Sequence, residues 1–192
     1  MQTIAYRIFE KVAVISSDVH NDARGTMAVK YDSTIDELGL DFSVKETRVY
    51  SMPECGTFFG IHYSSEDAPM TKLISVIQGR GMDYIVDLRE GSPTYLKWEK
   101  VELSAENALS ILVPAGFGHA FQSLEDNTIQ LFMIDRSGKD GISGKINYRD
   151  ESIGLILEKP VSKIAEYDLN APMVEKTASF SSIDALMEDL NN

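Results

Sequence analysis

The 192-residue chain has little of the chemistry from which disulfide frameworks and metal sites are built. Its one cysteine, Cys55, excludes an intrachain disulfide, and three histidines are too few for a histidine-rich metal site. No apolar run approaches the roughly 20 residues of a membrane-spanning helix. The N-terminus has no basic region followed by a long apolar stretch, so the sequence predicts a cytoplasmic protein without a membrane partner.

Positive charge is also scarce. The chain has 18 lysines and arginines against 30 aspartates and glutamates, which gives a net charge of −12. Surfaces that bind nucleic acid or anionic membranes need an excess of positive charge, so neither kind of partner is predicted. An anionic small molecule stays possible, because its pocket needs a few local cations or backbone N–H groups.

The chain does contain a series of short β-rich segments bounded by turn-forming residues. These segments cover residues 12–15, 27–31, 57–63, 73–77, 82–88, 94–103, 108–113 and 128–134. Their close, fairly even spacing predicts an all-β sandwich or barrel rather than an α/β fold. We expect the turn at Asp22–Gly25 to join the first two, and the glycines between Ile77 and Met82 to close a hairpin.

Two short helices are predicted beside the strands. The segment Ser33–Leu38 begins with a capping residue and is followed by Gly39, a common helix stop. Near the end of the chain, Ile183, Leu186, Met187 and Leu190 follow a helical spacing. We therefore expect one domain over residues 1–172 and a tail over 173–192 with a short amphipathic helix, which could pack on the barrel or on a partner subunit.

Two of the three histidines lie in segments built like parts of an active site. His62 closes Gly60-Ile61-His62, and His119 ends the pattern Pro-x-Gly-x-x-His that begins at Pro114. That pattern matches half of the second cupin motif. A metal-binding cupin would also carry His-x-His, whereas this chain has His62-Tyr63-Ser64, so a jelly-roll barrel without a metal is expected.

The order of these and other motifs resembles the dTDP-4-dehydrorhamnose 3,5-epimerase family, from about Asp22 to Pro172. The similar segments are Asp22–Gly25, Gly60–Tyr63, Lys72–Leu73, Asp83–Arg89, Ser92–Thr94, Pro114–Phe121, Tyr148–Asp150 and Ala165–Asp168. The resemblance implies a cupin-type jelly-roll barrel with short peripheral helices. It also implies an epimerase that inverts C3, C5 or both in a nucleotide-linked 4-keto sugar, needs no cofactor and forms a homodimer with exchanged N-terminal strands.

By this resemblance, three residues are expected to be catalytic. His62 would remove a proton beside the ketone, Asp168 would hold its other ring nitrogen, and Lys72 would stabilise the enolate oxygen. The substrate-binding residues implied in the same way are Arg24, His119 and Ser51.

The sequence departs from the family where the family binds the diphosphate. Phe59 stands in place of an arginine just before the Gly-Ile-His segment. The family's glutamine and asparagine in the preceding strand correspond to Thr47 and Val49. Arg48 is nearby, but neighbours in a strand point to opposite faces, so it is expected to face away from the pocket.

The family's general-acid tyrosine is also missing. It is expected about nineteen residues after His119, near Gly138, where the chain has no tyrosine, and Tyr148 is the possible replacement. Without that acid, epimerisation at one carbon, exchange without inversion and a different reaction on a related ketone all stay open. The alternatives to an epimerase are a non-catalytic sugar-binding cupin and a keto-sugar isomerase.

Overall fold

The computed structural model describes residues 2–64, 68–137 and 143–174 and contains two large sheets. In spatial order, the first sheet holds β1 (Gln2–Ile8), β2 (Val12–Ser17), β10 (Ser110–Val113), β7 (Lys72–Gln78), β12 (Thr128–Ile134) and β5 (Glu46–Met52). The second holds β13 (Ser143–Ile146), β6 (Thr57–Ser64), β11 (Phe117–Ser123), β8 (Arg80–Asp87) and β9 (Trp98–Ser104), with β14 (Lys163–Ile164) paired in parallel to β6.

Apolar side chains from both sheets meet in one core between them. Ile74 and Val76 of β7 pack in the same cluster as Ile85 of β8 and Phe121 of β11, and all four are buried. Burying one such side chain contributes about 1.5–3 kcal/mol. From β5 to β13 the chain changes sheet at every step except between β8 and β9. The predicted all-β, cupin-type jelly-roll barrel is confirmed.

Strand β8 is buried on both of its faces. One face points into the barrel core, and the other is covered by the segment after β13, whose Ile153, Leu157 and Val161 pack in one cluster with Tyr84 and Val86. Double coverage explains why every residue of this strand from Gly81 to Asp87 is buried, instead of every second one.

The predicted hairpin between residues 73–77 and 82–88 is wrong. Strand β7 pairs with β10 and β12 in the first sheet, whereas β8 pairs with β11 and β9 in the second. The chain crosses between sheets at Gly79, whose φ is +69° and where a Cβ would lie 2.8 Å from Oγ1 of Thr128. A glycine with positive φ allows such a corner as readily as a hairpin turn, so the sequence pattern does not separate the two.

The polar turn at Asp22–Gly25 joins two strands, but not the predicted pair. It connects β3 (Val19–Asp22) and β4 (Gly25–Ala28), which form a separate two-stranded sheet. The predicted first strand, residues 12–15, lies instead in β2 between β1 and β10, because its side chains are fully buried in the barrel.

The predicted helix after this hairpin is present as a single turn, α1 (Thr34–Glu37). Gly39, at φ +69°, follows its end as expected. The side chain of Ser33 does not cap the helix; a carboxylate oxygen of Asp32 accepts the backbone N–H of Thr34 at 2.9 Å.

The second described helix, α2 (Glu166–Leu169), lies close to the end of the described chain. The helix predicted around Ile183–Leu190 lies outside the described residues, and the boundary at residue 172 stays a prediction. Within the described ranges, no helix combines the length and apolar character needed to cross a membrane.

A hydrogen-bond network at Tyr84 ties the outer segment to the barrel. The buried Tyr84 hydroxyl donates to Oε1 of Gln122 at 3.3 Å and accepts the backbone N–H of Glu158 at 2.8 Å. The Gln122 side chain also bonds both backbone groups of Lys159, at 2.8 and 3.0 Å. Because this segment continues through β14 into α2, the network helps to fix the position of α2.

We expect Tyr84→Phe to lower the free energy of unfolding by about 1–3 kcal/mol, because buried polar groups lose their partner. Urea unfolding followed by fluorescence measures the change. The matched control is Tyr148→Phe, whose hydroxyl bonds the exposed Arg149 and whose loss should change stability by less than about 0.5 kcal/mol. Equal losses in the two variants would show that the Tyr84 hydroxyl is not an anchor.

Candidate active site

A pocket of about 110 Å³ lies between the two sheets. The first sheet contributes Arg48, Tyr50, Lys72, Gln130 and Phe132 to its lining, the second contributes Phe59, Gly60, His62, His119 and Phe121, and Met70 precedes β7. Three predicted site residues, His62, Lys72 and His119, therefore line one pocket, although they come from three different strands.

His62 is paired with a buried carboxylate. Its Nε2 lies 2.6 Å from Oδ1 of Asp168, a residue of α2 that is 106 positions away in the sequence. The Asp168 side chain is 1% exposed, whereas His62 is 30% exposed and faces the pocket. When Nε2–H donates to Asp168, the lone pair of Nδ1 can accept a proton.

Asp168 is held as a carboxylate by its neighbours. Burial raises its pKa, but the hydrogen bond and charge of His62, the backbone N–H of Gly60 and the charge of Lys145 together hold the pKa below its usual range. That Gly60 N–H donates to Oδ2 at 3.2 Å. A Cβ at residue 60 would lie 2.9 Å from Cβ of Asp168, so this close approach requires glycine.

Lys72 places a buried amine beside the histidine. Its Nζ donates to the backbone oxygen of His62 at 3.1 Å, and the residue is 4% exposed. Burial lowers the pKa of Lys72 to about 8, against the opposing charge of Asp83. An ammonium group in a site shielded from water stabilises a developing negative charge more strongly than in bulk solvent.

His119 lies directly opposite His62 in the pairing of β11 with β6. Burial, with the charges of Lys72 and His62, lowers the pKa of His119 well below its usual value. Burial also raises the pKa of Asp83, whose Oδ2 is 3.6 Å from Nδ1 of His119, too long for a hydrogen bond. Because both groups favour their neutral forms, the two are not an ion pair. His119 is suited to bind a substrate as a neutral ring.

In strand β5, the side chains that face the pocket are not the ones that the sequence predicted. Arg48 and Tyr50 line the pocket, whereas Thr47 and Val49 are exposed, Val49 by 60%. Side chains alternate along a strand, and here the set that faces the pocket includes Arg48, so the expectation that Arg48 faces away from it is wrong. Ser51 falls on the exposed face for the same reason and does not line this pocket.

The sequence model of the dTDP-4-dehydrorhamnose 3,5-epimerase family matches residues 8–176 of the chain. The chain belongs to that family. The 3,5-epimerase of Methanothermobacter thermautotrophicus is 33% identical over 143 residues, which cover 74% of this chain and 76% of that protein. The predicted membership is confirmed, and the protein is an isomerase of the carbohydrate-epimerase kind.

Two crystal structures of epimerases have the same fold. The 3,5-epimerase of Bacillus anthracis, with TDP and pyrophosphate bound, superposes with a TM-score of 0.81 at 29% identity and covers 91% of this chain and 100% of its own. A variant of the 3'-monoepimerase ChmJ of Streptomyces bikiniensis, in complex with dTDP, gives a TM-score of 0.79 at 27% identity, with 90% and 87% coverage.

Arg24 is a predicted site residue that the structure does not bring to the pocket. It sits at the tip of the β3–β4 hairpin with its side chain 90% exposed, and its guanidinium pairs with Asp22 at 2.5 Å. In this epimerase, Arg24 does not line the pocket of its own chain.

Sequence reasoning missed three pocket residues, Tyr50, Gln130 and Phe132. Gln130 is buried, and within the described ranges its Nε2 has no hydrogen-bond partner. A polar residue two positions from Phe132 on the buried face of a strand was a signal that could have identified it. The region of the missing tyrosine, near Gly138, lies outside the described residues. Across the described ranges, no group of three His, Cys, Asp or Glu side chains could hold a metal ion.

We expect Lys72→Met to stabilise the epimerase at pH 7 by about 1–3 kcal/mol, because burial lowers the pKa of this amine to about 8. Each tenfold loss of proton affinity on folding costs about 1.4 kcal/mol while the amine stays charged, and an unfolded lysine titrates near pH ~10.4. Between these two pKa values the unfolded wild type binds more protons than the folded one. Wild-type stability therefore rises relative to the variant over that range of pH.

Denaturant unfolding from about pH 7 to about pH 10.5 measures this difference. The stability difference between Lys72→Met and the wild type should be largest below the pKa of Lys72 in the folded protein. It should shrink as the pH approaches the pKa of this lysine in the unfolded chain. Lys97→Met, at an exposed position, is the control and should change stability little at any pH. A Lys72→Met variant less stable than the wild type at neutral pH would contradict this account of the buried charge.

Proposed function

We propose that the protein epimerises a nucleotide-linked 4-keto deoxysugar at a carbon next to the ketone, with His62 as the base. The observation that carries this proposal is the 2.6 Å contact between Nε2 of His62 and Oδ1 of the buried Asp168. It orients the ring and leaves Nδ1 to accept a proton. No cofactor is needed, because the ketone itself makes the neighbouring C–H bonds acidic.

The remaining residues of the pocket suit the intermediate of this reaction. Removal of the proton turns the ketone into an enolate, whose negative oxygen needs a nearby positive charge. The Nζ of Lys72 lies on the His62 side of the pocket, 3.1 Å from the backbone oxygen of that residue. His119, kept neutral by burial, can hydrogen-bond the sugar without competing for the proton.

The relatives support a dTDP-linked substrate, since the B. anthracis structure holds TDP and the S. bikiniensis variant holds dTDP. In a chain of net charge −12, the diphosphate needs a local cation. Arg48, half-buried in the pocket lining, is suited to that part. We place the reaction in deoxysugar synthesis in the cytoplasm, where nucleotide-linked sugars are made.

The S. bikiniensis enzyme also bears on the missing tyrosine. The histidine and tyrosine substituted in that variant are 70 residues apart. Phe132 follows His62 by the same 70 residues. By this spacing Phe132 is the counterpart of that tyrosine, in place of the position near Gly138, and it too has no hydroxyl. That enzyme is a 3'-monoepimerase, so inversion at a single carbon has a precedent in the family.

Incubation with dTDP-4-dehydro-6-deoxyglucose in D2O tests the proposal. We expect the wild type to incorporate deuterium at C3, C5 or both, measured by NMR. We expect His62→Asn to lower the exchange rate by about 10²–10⁴-fold, because the base is lost. Asp168→Asn should also lower it by about 10²-fold or more, because an amide favours the wrong tautomer.

Asp41→Asn, at an exposed carboxylate, is the control and should exchange at the wild-type rate. Saturable binding of the nucleotide sugar by the wild type without any exchange would make the protein a non-catalytic sugar-binding cupin. Unchanged exchange in His62→Asn would mean that another residue is the base.

We also propose a homodimer in which the β3–β4 hairpin of each subunit reaches the pocket of the other. The hairpin forms its own sheet apart from the barrel and exposes the apolar side chains of Val19 and Met27. Arg24 at its tip lies outside the pocket lining of its own chain. In the exchanged arrangement its guanidinium would meet the substrate diphosphate, which arginine binds well.

Mixing two impaired variants tests this exchange. In a dimer formed from His62→Asn and Arg24→Ala chains, one site carries both changes and the other carries neither. After unfolding and refolding together, half of the dimers are mixed, so the activity should recover to about a quarter of the wild-type value. Each variant refolded alone is the control. No recovery in the mixture would mean that Arg24 serves its own chain or no site at all.

A further inference from the structure

Inversion requires a second proton-transfer group on the face opposite His62. The base removes a proton from one face of the sugar, and the new proton must arrive from the other. His62 belongs to β6 of the second sheet, so the donor should come from the first sheet across the pocket.

The first sheet offers few groups that can deliver a proton. An arginine stays protonated, a glutamine amide is not an acid, and phenylalanine has no polar hydrogen. These exclude Arg48, Gln130 and Phe132. Lys72 is already assigned to stabilise the enolate oxygen. Among the pocket-lining residues in the described part of the chain, Tyr50 then carries the one hydroxyl group.

We propose that Tyr50 is the general acid of this epimerase and protonates the carbon from the face opposite His62. The inference rests on the proposed function and adds the residue that completes it. Tyr50 reaches across the pocket, because its ring contacts Phe59 of β6 at 5.3 Å between centroids. It also contacts Phe132 edge to face at 5.8 Å.

Tyr50 stands next to the place where the family relative has its tyrosine. In the pairing of β5 with β12, Gln130 is opposite Tyr50 and Phe132 is opposite Arg48. Tyr50 and Phe132 are therefore diagonal neighbours on one face of the first sheet. A hydroxyl on β5 can serve the same space as a hydroxyl at residue 132 on β12.

Arg48 lies beside Tyr50 in the pocket lining. The Arg48 guanidinium donates to Oε1 of Glu46 at 2.6 Å, and the proximity of Glu46 and then of Tyr50 raises the pKa of Arg48. This guanidinium places a positive charge next to the negative charge that the Tyr50 oxygen would carry after it gives up its proton. Glu46 orients the guanidinium from the other side.

The step balances without any further reactant. Nδ1 of His62 takes the proton, and the C–H electron pair forms the enolate. When the enolate collapses to the ketone, its electrons form the new C–H bond with the proton of Tyr50. The phenolate then regains a proton from water as the imidazolium of His62 loses one to water.

Tyr167 also lies near the base, but it is not among the residues that line the pocket. Its ring stacks on His62 at 6.3 Å between centroids, and it belongs to α2 next to Asp168. This makes Tyr167→Phe the matched control for Tyr50→Phe.

Deuterium exchange and inversion at the same carbon, followed by NMR in D2O, test the assignment. In Tyr50→Phe we expect inversion to fall by about 10²-fold or more, because the acid is lost. Exchange with retention should stay within about tenfold of the wild-type exchange rate, because His62 still removes and returns a proton. Tyr167→Phe should keep both rates within about threefold, and retained dTDP affinity confirms that each variant is folded.

The double variant Tyr50→Phe/Phe132→Tyr returns a hydroxyl to the pocket from the neighbouring strand. It should invert at least about tenfold faster than Tyr50→Phe. Inversion at the wild-type rate in Tyr50→Phe, an equal loss of exchange and inversion, or a loss of inversion confined to Tyr167→Phe would each overturn the role of Tyr50. None of these outcomes would contradict the role of His62 as the base. A wild type without any exchange would contradict both the role of His62 and the role of Tyr50.

Discussion

The contact between His62 and Asp168 is the constraint on which the rest of the site depends. It joins an interior strand of the second sheet to a helix turn 106 residues later in the chain. The approach is possible because residue 60 is glycine, and α2 is positioned by the outer segment that Tyr84 and Gln122 bind to the barrel. Much of the chain after β12 thus serves to bring one carboxylate to one imidazole.

Ionisable side chains are buried in this pocket and next to it, and their burial lowers the stability of the fold. Lys72, Asp83 and His119 are all buried, and each has its pKa moved toward the neutral form. Burial of groups that prefer water does not stabilise a barrel, and the apolar core on both sides must compensate. Several ionisable groups with shifted pKa values are expected at an active site, because shifted pKa values are concentrated where protons are transferred.

The sequence predicted the converging residues better than it predicted their strands. The resemblance of the motifs to the epimerase family predicted that His62, Lys72, His119 and Asp168 belong to one site. The prediction of the strands was wrong where one local sequence pattern is compatible with two different structures. A glycine with positive φ at residue 79 fits a hairpin and a corner between sheets equally well. In β5, a shift of one residue reverses every side chain, and the apolar pattern there is too weak to fix the register.

That correction changes how the missing tyrosine is understood. With Thr47 and Val49 in the pocket, β5 would have offered no phenol, and the site would have lacked a component. With Arg48 and Tyr50 there instead, the wall opposite His62 contains an aromatic hydroxyl beside a cation. Stereochemistry requires a donor from a given direction and does not specify which strand supplies it. In a β-barrel, adjacent strands present side chains into the same space, so a group can move between them while the reaction keeps its geometry.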